Sequence, residues 1–158
     1  EEGTIIGPMI NGRQRDHGLK QLDDAVNSGA RVVYGGNHHD NYVHPTILTD
    51  LRNEMTIMRE ETFGPVACVV TFDDVNDAIR QANDTPFGLG AAVFGGDLGN
   101  ASKVARQLDA GMIGVNKGCG GSSGSPWVGA KQSGYGFHGS VEGHRQFAQV
   151  RTVSIPKG

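Results

Sequence analysis

The sequence has little of three features that would assign it to a class at once: cysteine, charge of one sign, and long apolar runs. Its two cysteines, Cys68 and Cys119, are too few for a disulfide framework, which favours a reducing compartment such as the cytoplasm. A formal net charge of −3 gives no electrostatic reason to expect nucleic acid or an anionic membrane as a partner. No apolar run approaches the ~20 residues of a membrane helix, and the first residues, EEGTIIGPMI, lack the regions of a secretory signal. These absences favour a soluble globular protein.

Glycine, by contrast, is abundant. Of the 25 glycines, eleven cluster at 111–124 and 129–143, which predicts tight turns and ordered loops in the last third of the chain. The groups at 35–36, 95–96 and 118–121 do not form the G-x-G-x-x-G turn of a dinucleotide-binding unit. The six histidines show no zinc-site spacing with cysteine, so no metal is expected.

The order of apolar patterns predicts an α/β fold. A helix is expected over 12–28, where Leu19, Leu22 and Val26 share one face and Gly29 can end the helix. Strands are expected at 31–34, 45–48, 66–72, 90–94 and 112–115, the 66–72 strand being buried on both faces. Two helical stripes separate the last three strands: Val75, Ala78, Ile79 and Ala82 after a cap at Asp73 or Asp74, and Ala101, Val104, Ala105 and Leu108. Two consecutive strand–helix–strand units predict an open, mostly parallel sheet with flanking helices.

The end of the chain is expected to stand apart from that sheet. A short helix near 140–148 and a strand at 151–155, RTVSI, follow the glycine-rich stretch. A strand outside the main sheet can pair with another subunit by adding to a sheet edge. We therefore expect a tail with an oligomerisation strand.

The stretch REETFGPV, residues 59–66, places two carboxylates directly before a strand. Glu60 and Glu61 can both be solvated charges, as carboxylates mostly are. Alternatively, a carboxylate that faces a cleft can accept two hydrogen bonds from a vicinal diol such as a ribose, with a neighbouring aromatic ring packed on a flat ligand. The pattern alone leaves both interpretations open.

Motifs along nearly the whole length resemble the C-terminal part of the NAD(P)-dependent aldehyde dehydrogenase superfamily. The matching stretches, in the order of the family, are IGPMIN (6–11), PTIL (45–48), MTIMREETFGPV (55–66), ANDTPFGLGAAVF (82–94), AGMIGVN (110–116) and SPWVGAKQSGYG (125–136). The most specific of them is EETFGP followed by FGLGAAVF. The resemblance implies that 1–137 is part of the catalytic domain and 138–158 the C-terminal tail.

What the resemblance implies for the cofactor, NAD or NADP, is specific to single residues. The second Glu of the motif binds the hydroxyls of the nicotinamide ribose in the family, which implies Glu61. The aromatic residue two positions later lies beside the nicotinamide, which implies Phe63, and the Leu of the GL pair approaches the same region, which implies Leu89. Glu60 keeps its interpretation as a solvated charge.

The catalytic groups of the family are expected outside this chain. The resemblance implies oxidation of an aldehyde to a carboxylic acid through a thiohemiacetal and a thioester on a Cys upstream of GPMIN, so no catalytic residue is assigned here. Cys119, in KGCGGSSG, does not match the surroundings of that nucleophile; it matches the loop that lines the substrate tunnel, although a plain loop residue stays an alternative. Trp127 stands where relatives carry an aromatic residue in the substrate-binding wall, and a core tryptophan is its alternative.

Three hypotheses follow for the function. In the first, the chain is a C-terminal part of an aldehyde dehydrogenase that forms a dimer or tetramer of identical subunits, and it is inactive by itself. In the second, it is a non-catalytic module that pairs with full-length subunits. In the third, it belongs to a relative that reduces an acyl phosphate or an acyl-CoA. The PheHis pair at 137–138 departs from the Arg-Glu that relatives often carry, which affects any subunit contact inferred from that segment.

Overall fold

A computed structural model of the chain describes residues 3–121 and 123–157. The chain divides into two compact units between Thr85 and Pro86. The helices are α1 (Gly12–Asn27), α2 (Thr56–Arg59), α3 (Val75–Asn83), α4 (Leu98–Ala105) and α5 (Val141–Arg145). The strands are β1 (Arg31–Tyr34), β2 (His38–His39), β3 (Tyr42–Val43), β4 (Thr46–Thr49), β5 (Val66–Cys68), β6 (Gly90–Val93), β7 (Met112–Val115), β8 (Trp127–Val128) and β9 (Phe137–His138). The predicted α/β fold with open sheets is confirmed.

Helix α1 begins and ends where its sequence signals lie. The side chain of Asn11 accepts a hydrogen bond from the backbone N–H of Gln14 at 2.9 Å, which satisfies one of the free donors of the first turn. At the other end Gly29 has a φ of +103°, a left-handed conformation that glycine adopts without a steric penalty. The N–H of Ala30 then donates to the carbonyl oxygen of Ala25, which closes a Schellman motif.

The core of the first unit lies between α1 and a three-stranded sheet of order β1–β4–β5. Strand β4 pairs antiparallel with β1 and parallel with β5, and its Leu48 is fully buried. The other buried members of this core are Leu22, Ala25, Ala30, Leu51, Met55 and Ile57. Leu22 is on the predicted apolar face of α1, whereas Val26 is 42% exposed and does not belong to that face.

Two predictions for the first unit need correction. Strand β5 ends at Cys68 instead of residue 72, and Val69 and Phe72 are 44% and 55% exposed, so the run is not buried on both faces. Among the residues that the structure describes, β5 is the edge strand of its sheet and pairs only with β4. The stripe of α3 is also incompletely covered, since Val75 is 49% exposed, although Asp74 caps the helix as expected.

The second unit contains the predicted strand–helix–strand unit β6–α4–β7. Strands β6 and β7 pair parallel from Gly90 opposite Met112 to Val93 opposite Val115, and α4 buries Ala101 and Ala105. A hairpin follows, in which β8 pairs antiparallel with β9 and brings Trp127 opposite His138. The predicted single sheet is thus distributed over separate sheets, with β4–β5 and β6–β7 as its parallel pairs.

The prediction for the tail is confirmed for its helix and corrected for its strand. Helix α5 begins after Ser140, whose side chain accepts from the N–H of Gly143 at 3.0 Å. Residues 151–157 form no strand, and Val153 and Ile155 are 73% and 82% exposed. A strand exists only where a neighbour completes its ladder, and the described residues of this chain supply no such neighbour to the tail.

Among residues 3–121 and 123–157, no helix combines the length and the apolar character needed to cross a membrane.

Candidate cofactor and substrate site

Glu61 lies on the segment that joins α2 to β5. The segment leaves α2 after Arg59, and the carboxylate-bearing residues Glu60 and Glu61 are both exposed. Helix α2 is anchored beneath them by Ile57, which is 6% exposed. A reactive or binding side chain is therefore held at the surface by a short helix whose apolar face is fixed in the core.

A polar stripe of α1 holds this segment from the other side. Gln14 donates from its side-chain amide to the carbonyl oxygen of Thr62 at 2.8 Å, and Nε2 of His17 lies 3.3 Å from the carbonyl oxygen of Glu61. Gln21, only 2% exposed, donates to a carboxylate oxygen of Glu60 at 3.5 Å. These α1 residues follow one another at helical spacing, so they lie on one face.

The backbone and the side chain of Glu61 have different surroundings. Its carbonyl oxygen is engaged by α1, while its carboxylate is exposed on the surface of the unit. An ionised carboxylate is an acceptor with about four lone-pair sites. The geometry therefore offers a positioned acceptor to a ligand that carries two adjacent hydroxyl groups.

Phe63 has an unusual backbone conformation. Its φ is +42°, in the left-handed region that a bulky non-glycine residue adopts rarely. Such strain costs on the order of 1–3 kcal/mol and persists where the surrounding structure requires it, often at ligand sites. The ring is 76% exposed and borders an open groove of about 590 Å³ with Pro8, Met9, Ile10 and Gln14. An exposed aromatic ring is thereby available two residues from Glu61.

In the second unit, Cys119 lies against the start of β6, at the residue that follows Leu89. Leu89 immediately precedes β6 and is 42% exposed. A Cβ placed on the next residue, Gly90, would lie 2.5 Å from the sulfur of Cys119, so this thiol packs directly against the start of β6. Cys119 is free and exposed. A side chain at position 90 would require the Cys119 sulfur to shift.

Trp127 lies in the same unit, on the β8–β9 hairpin. Its indole stacks on the imidazole of His138, with ring centroids 6.4 Å apart and an interplanar angle of 19°. Trp127 is 46% exposed, so in this chain it is not a core tryptophan. Together with Leu89 and Phe147 it borders an open groove of about 310 Å³. Two of the predicted residues, Leu89 and Trp127, therefore share one cavity.

The remaining nucleophilic and metal-binding candidates carry no site. Burial raises the pKa of the Cys68 thiol, which keeps it protonated and unreactive at neutral pH. Within the described ranges, 3–121 and 123–157, no group of three His, Cys, Asp or Glu residues lies together for a metal ion.

Sequence reasoning missed the residues of α1 that contact the Glu61 segment. The available signal was that the face of α1 carrying buried Leu22 and Ala25 becomes polar at Gln14, His17 and Gln21. Where the buried face of a helix carries amide and imidazole side chains, polar groups of another segment are expected opposite them, because buried polar groups are hydrogen-bonded. The sequence shows the change of character but not the partner segment.

Comparison with known proteins assigns the chain to a protein family. The sequence model of the aldehyde dehydrogenase family matches residues 1–153. The chain is 40% identical over 164 residues to betaine aldehyde dehydrogenase of Sinorhizobium fredii, covering 100% of this chain and 34% of that protein. It is 41% identical over 156 residues to mitochondrial succinate-semialdehyde dehydrogenase of Mus musculus, covering 97% of this chain and 30% of the relative.

A solved structure agrees with this assignment. The aldehyde dehydrogenase of Mycobacterium tuberculosis in complex with NAD+ superposes with a TM-score of 0.90 at 35% identity, over 97% of this chain and 32% of that one. The chain belongs to the aldehyde dehydrogenase family. It spans about a third of the length of the relatives that it matches.

Proposed function

We propose that the complete protein containing this chain oxidises an aldehyde to a carboxylic acid with NAD+ or NADP+, and that this chain supplies the nicotinamide side of the cofactor site. The observation that carries the proposal is the exposed carboxylate of Glu61 on a segment whose backbone is fixed by α1. The exposed ring of Phe63 beside it suits a flat ligand. Family membership supports the same assignment.

The segment offers two groups that suit a nicotinamide nucleotide: a hydrogen-bond acceptor for its ribose at Glu61 and an aromatic face for its flat ring at Phe63. With the cofactor bound, Glu61 would accept hydrogen bonds from the two ribose hydroxyls and so orient the sugar, and Phe63 would exclude water from one side of the ring. Leu89, which belongs to the second unit, is proposed as a cofactor contact from the family resemblance alone. The cofactor, when bound, accepts a hydride from the substrate. The solved relative from Mycobacterium tuberculosis is complexed with NAD+, and the choice between NAD+ and NADP+ stays open for this protein.

For the substrate side, we propose that Trp127 forms part of the wall and that Cys119 lines the entry loop. The indole is backed by His138 and faces a groove that it shares with Leu89. A large flat apolar surface favours aromatic or extended aldehydes. The named substrates of the relatives, betaine aldehyde and succinate semialdehyde, differ in charge and do not identify the aldehyde used here.

Replacing Trp127 by Ala tests the substrate wall. In the complete enzyme we expect kcat/KM for benzaldehyde to fall by up to about tenfold, because an aromatic pair contributes about 0.5–1.5 kcal/mol beyond the area that it buries, and about 1.4 kcal/mol corresponds to tenfold in rate. For acetaldehyde, which is too small to cover the indole, we expect a change of less than about twofold. Equal losses for both aldehydes would remove Trp127 from the wall.

The isolated chain is expected to be inactive. Its two thiols are Cys68, whose pKa is raised by burial, and Cys119, which lies in a loop that does not match the nucleophile of the family. Incubation of residues 1–158 with NAD+ and acetaldehyde should give no NADH above the rate of a Cys119→Ala control. Turnover that disappears in that control would make Cys119 a nucleophile and overturn the assignment.

The tail favours a second role beside catalysis. Val150, Val153 and Ile155 are each more than 70% exposed, at 87%, 73% and 82%. Exposed apolar residues in a segment that is neither helix nor strand within this chain suit addition to a sheet edge of another subunit. We therefore propose a homo-oligomer, dimer or tetramer, in which residues 138–158 act as the tail and 1–137 as part of the catalytic domain. The free cysteines suit a reducing compartment, the cytoplasm.

A further inference from the structure

Arg59 and Asp84 form the most complete ion pair of the first unit. Nη1 of Arg59 donates to Oδ1 of Asp84 at 2.8 Å, and Nη2 donates to Oδ2 at 2.8 Å. Nη1 also donates to the backbone carbonyl oxygen of Asp84 at 2.9 Å. A bidentate pair fixes orientation as well as distance, because the planar guanidinium matches both carboxylate oxygens.

A third residue completes this contact. The side-chain amide of Asn53 donates to the carbonyl oxygen of Gln81 at 3.1 Å and to Oδ2 of Asp84 at 3.3 Å. Hydrogen bonds from Arg59, and then from Asn53, lower the pKa of the Asp84 carboxyl, so it stays ionised at neutral pH. The Asp84 side chain is thereby held from two sides at the end of α3.

The Arg59–Asp84 pair connects the start of the Glu61 segment to helix α3. Arg59 is the last residue of α2 and lies two residues before Glu61, whereas Asp84 is the C-terminal cap of α3. The pair therefore ties the start of the Glu61 segment to a second helix, while the polar stripe of α1 holds the segment further along, at Glu61 and Thr62. Without Arg59, the segment leaves α2 with one of its two attachments missing.

Stability alone does not account for this arrangement. The two side chains are 37% and 48% exposed, and ion pairs at such sites change folding stability little, because water screens them. The position of a binding group matters to function even where folding stability is unchanged, because a displacement of about 1 Å can reduce rates on the order of a hundredfold.

We infer that Arg59 and Asp84 are positioning residues that set the location of the Glu61 carboxylate, and through it the affinity for the nicotinamide nucleotide. This inference rests on the proposed function, since it needs Glu61 to bind the cofactor. Neither residue touches the ligand in this account. Their effect passes through the backbone between Arg59 and Glu61.

The test uses the complete enzyme with Arg59→Lys, Asp84→Asn and the double variant. Lysine keeps the charge but cannot make the bidentate contact, so we expect the KM for NAD+ to rise about fivefold, with the KM for the aldehyde changed less than about twofold. The dissociation constant for NADH, from its fluorescence on binding, should rise by the same factor. Because both residues act through one contact, the KM for NAD+ in the double variant should rise no more than in the more strongly affected single variant.

A matched control is the pair Arg31–Asp50 in the same unit, where a single contact of 3.1 Å joins side chains that are 65% and 60% exposed. Arg31→Lys and Asp50→Asn should leave both KM values unchanged, and all variants should melt within about 2 °C of the parent. If Arg59→Lys changed the KM for NAD+ and the KM for the aldehyde equally, or lowered the melting temperature by more than about 2 °C, the pair would act on folding stability and the inference would be wrong.

Glu61→Gln, measured beside these variants, separates the two possible failures. If Glu61→Gln weakens NADH binding and Arg59→Lys does not, the positioning role is wrong and the proposed function stands. If neither variant changes NADH binding, the cofactor role of Glu61 is wrong, and the positioning role fails with it.

Discussion

Replacing Glu61 by Gln in the complete enzyme is expected to raise the KM for NAD+ at least tenfold and to lower kcat. The amide is nearly isosteric but loses the negative charge, and hydrogen bonds to a charged acceptor contribute about 1.5–3 kcal/mol, which corresponds to about 10- to 100-fold. A less firmly held ribose also leaves the nicotinamide less well oriented for hydride transfer. Steady-state kinetics with NAD+ varied at saturating aldehyde measure both effects.

The adjacent carboxylate provides the control for this prediction. Glu60→Gln removes the same charge one residue away, from a side chain that contacts Gln21 at 3.5 Å instead of presenting a free acceptor. We expect its KM for NAD+ to stay within about twofold of the parent. Equal effects of the two substitutions would mean that the site senses net charge and not a specific acceptor at Glu61.

Replacing Gly111 by Ala is expected to have the largest effect on stability. A Cβ at this position would lie 2.1 Å from the carbonyl oxygen and 2.6 Å from the carbonyl carbon of Val128, both backbone atoms. Because Gly111 also donates its N–H to the carbonyl oxygen of Gly88 at 2.9 Å, its backbone cannot move away from Val128 without breaking a hydrogen bond next to β7. We expect a loss of about 3 kcal/mol in the free energy of unfolding, the upper range for overpacking.

Gly118 lies on the other side of β7 and serves as the matched control. A Cβ there would have no atom within 4 Å, so Gly118→Ala should change stability by less than about 0.5 kcal/mol. Urea unfolding followed by circular dichroism compares the two variants. If Gly111→Ala unfolds at the same urea concentration as Gly118→Ala, the close approach between Gly111 and Val128 does not exist in solution.

Local signals in the sequence correctly place the end of α1 and the start of α3. Gly29 ends α1 in a left-handed conformation and Asp74 caps α3, because both signals depend on a residue's own backbone or its nearest N–H groups. Burial depends on what lies opposite. The apolar spacing of α3 was correct, yet Val75 is 49% exposed, since periodicity identifies the apolar face of a helix but not the element that covers it.

In the candidate site, too, the sequence indicated single residues but not the contacts that hold them. A motif resemblance was sufficient to single out Glu61 and Phe63, which lie together on one segment. The contacts that hold this segment join residues 25 to 48 positions apart, such as Arg59 with Asp84 and Gln14 with Thr62. Pairings at such separations follow from the folded topology and have no local signature, so the sequence could not reveal them.

The most direct test of the central claim is a crystal structure of the complete enzyme with bound NAD+. The account predicts both carboxylate oxygens of Glu61 at about 2.5–2.7 Å from the two hydroxyls of the nicotinamide ribose, with the segment held by Gln14 and Arg59 as described here. A ribose bound by other residues, with the Glu61 carboxylate facing solvent or a structural partner, would contradict it.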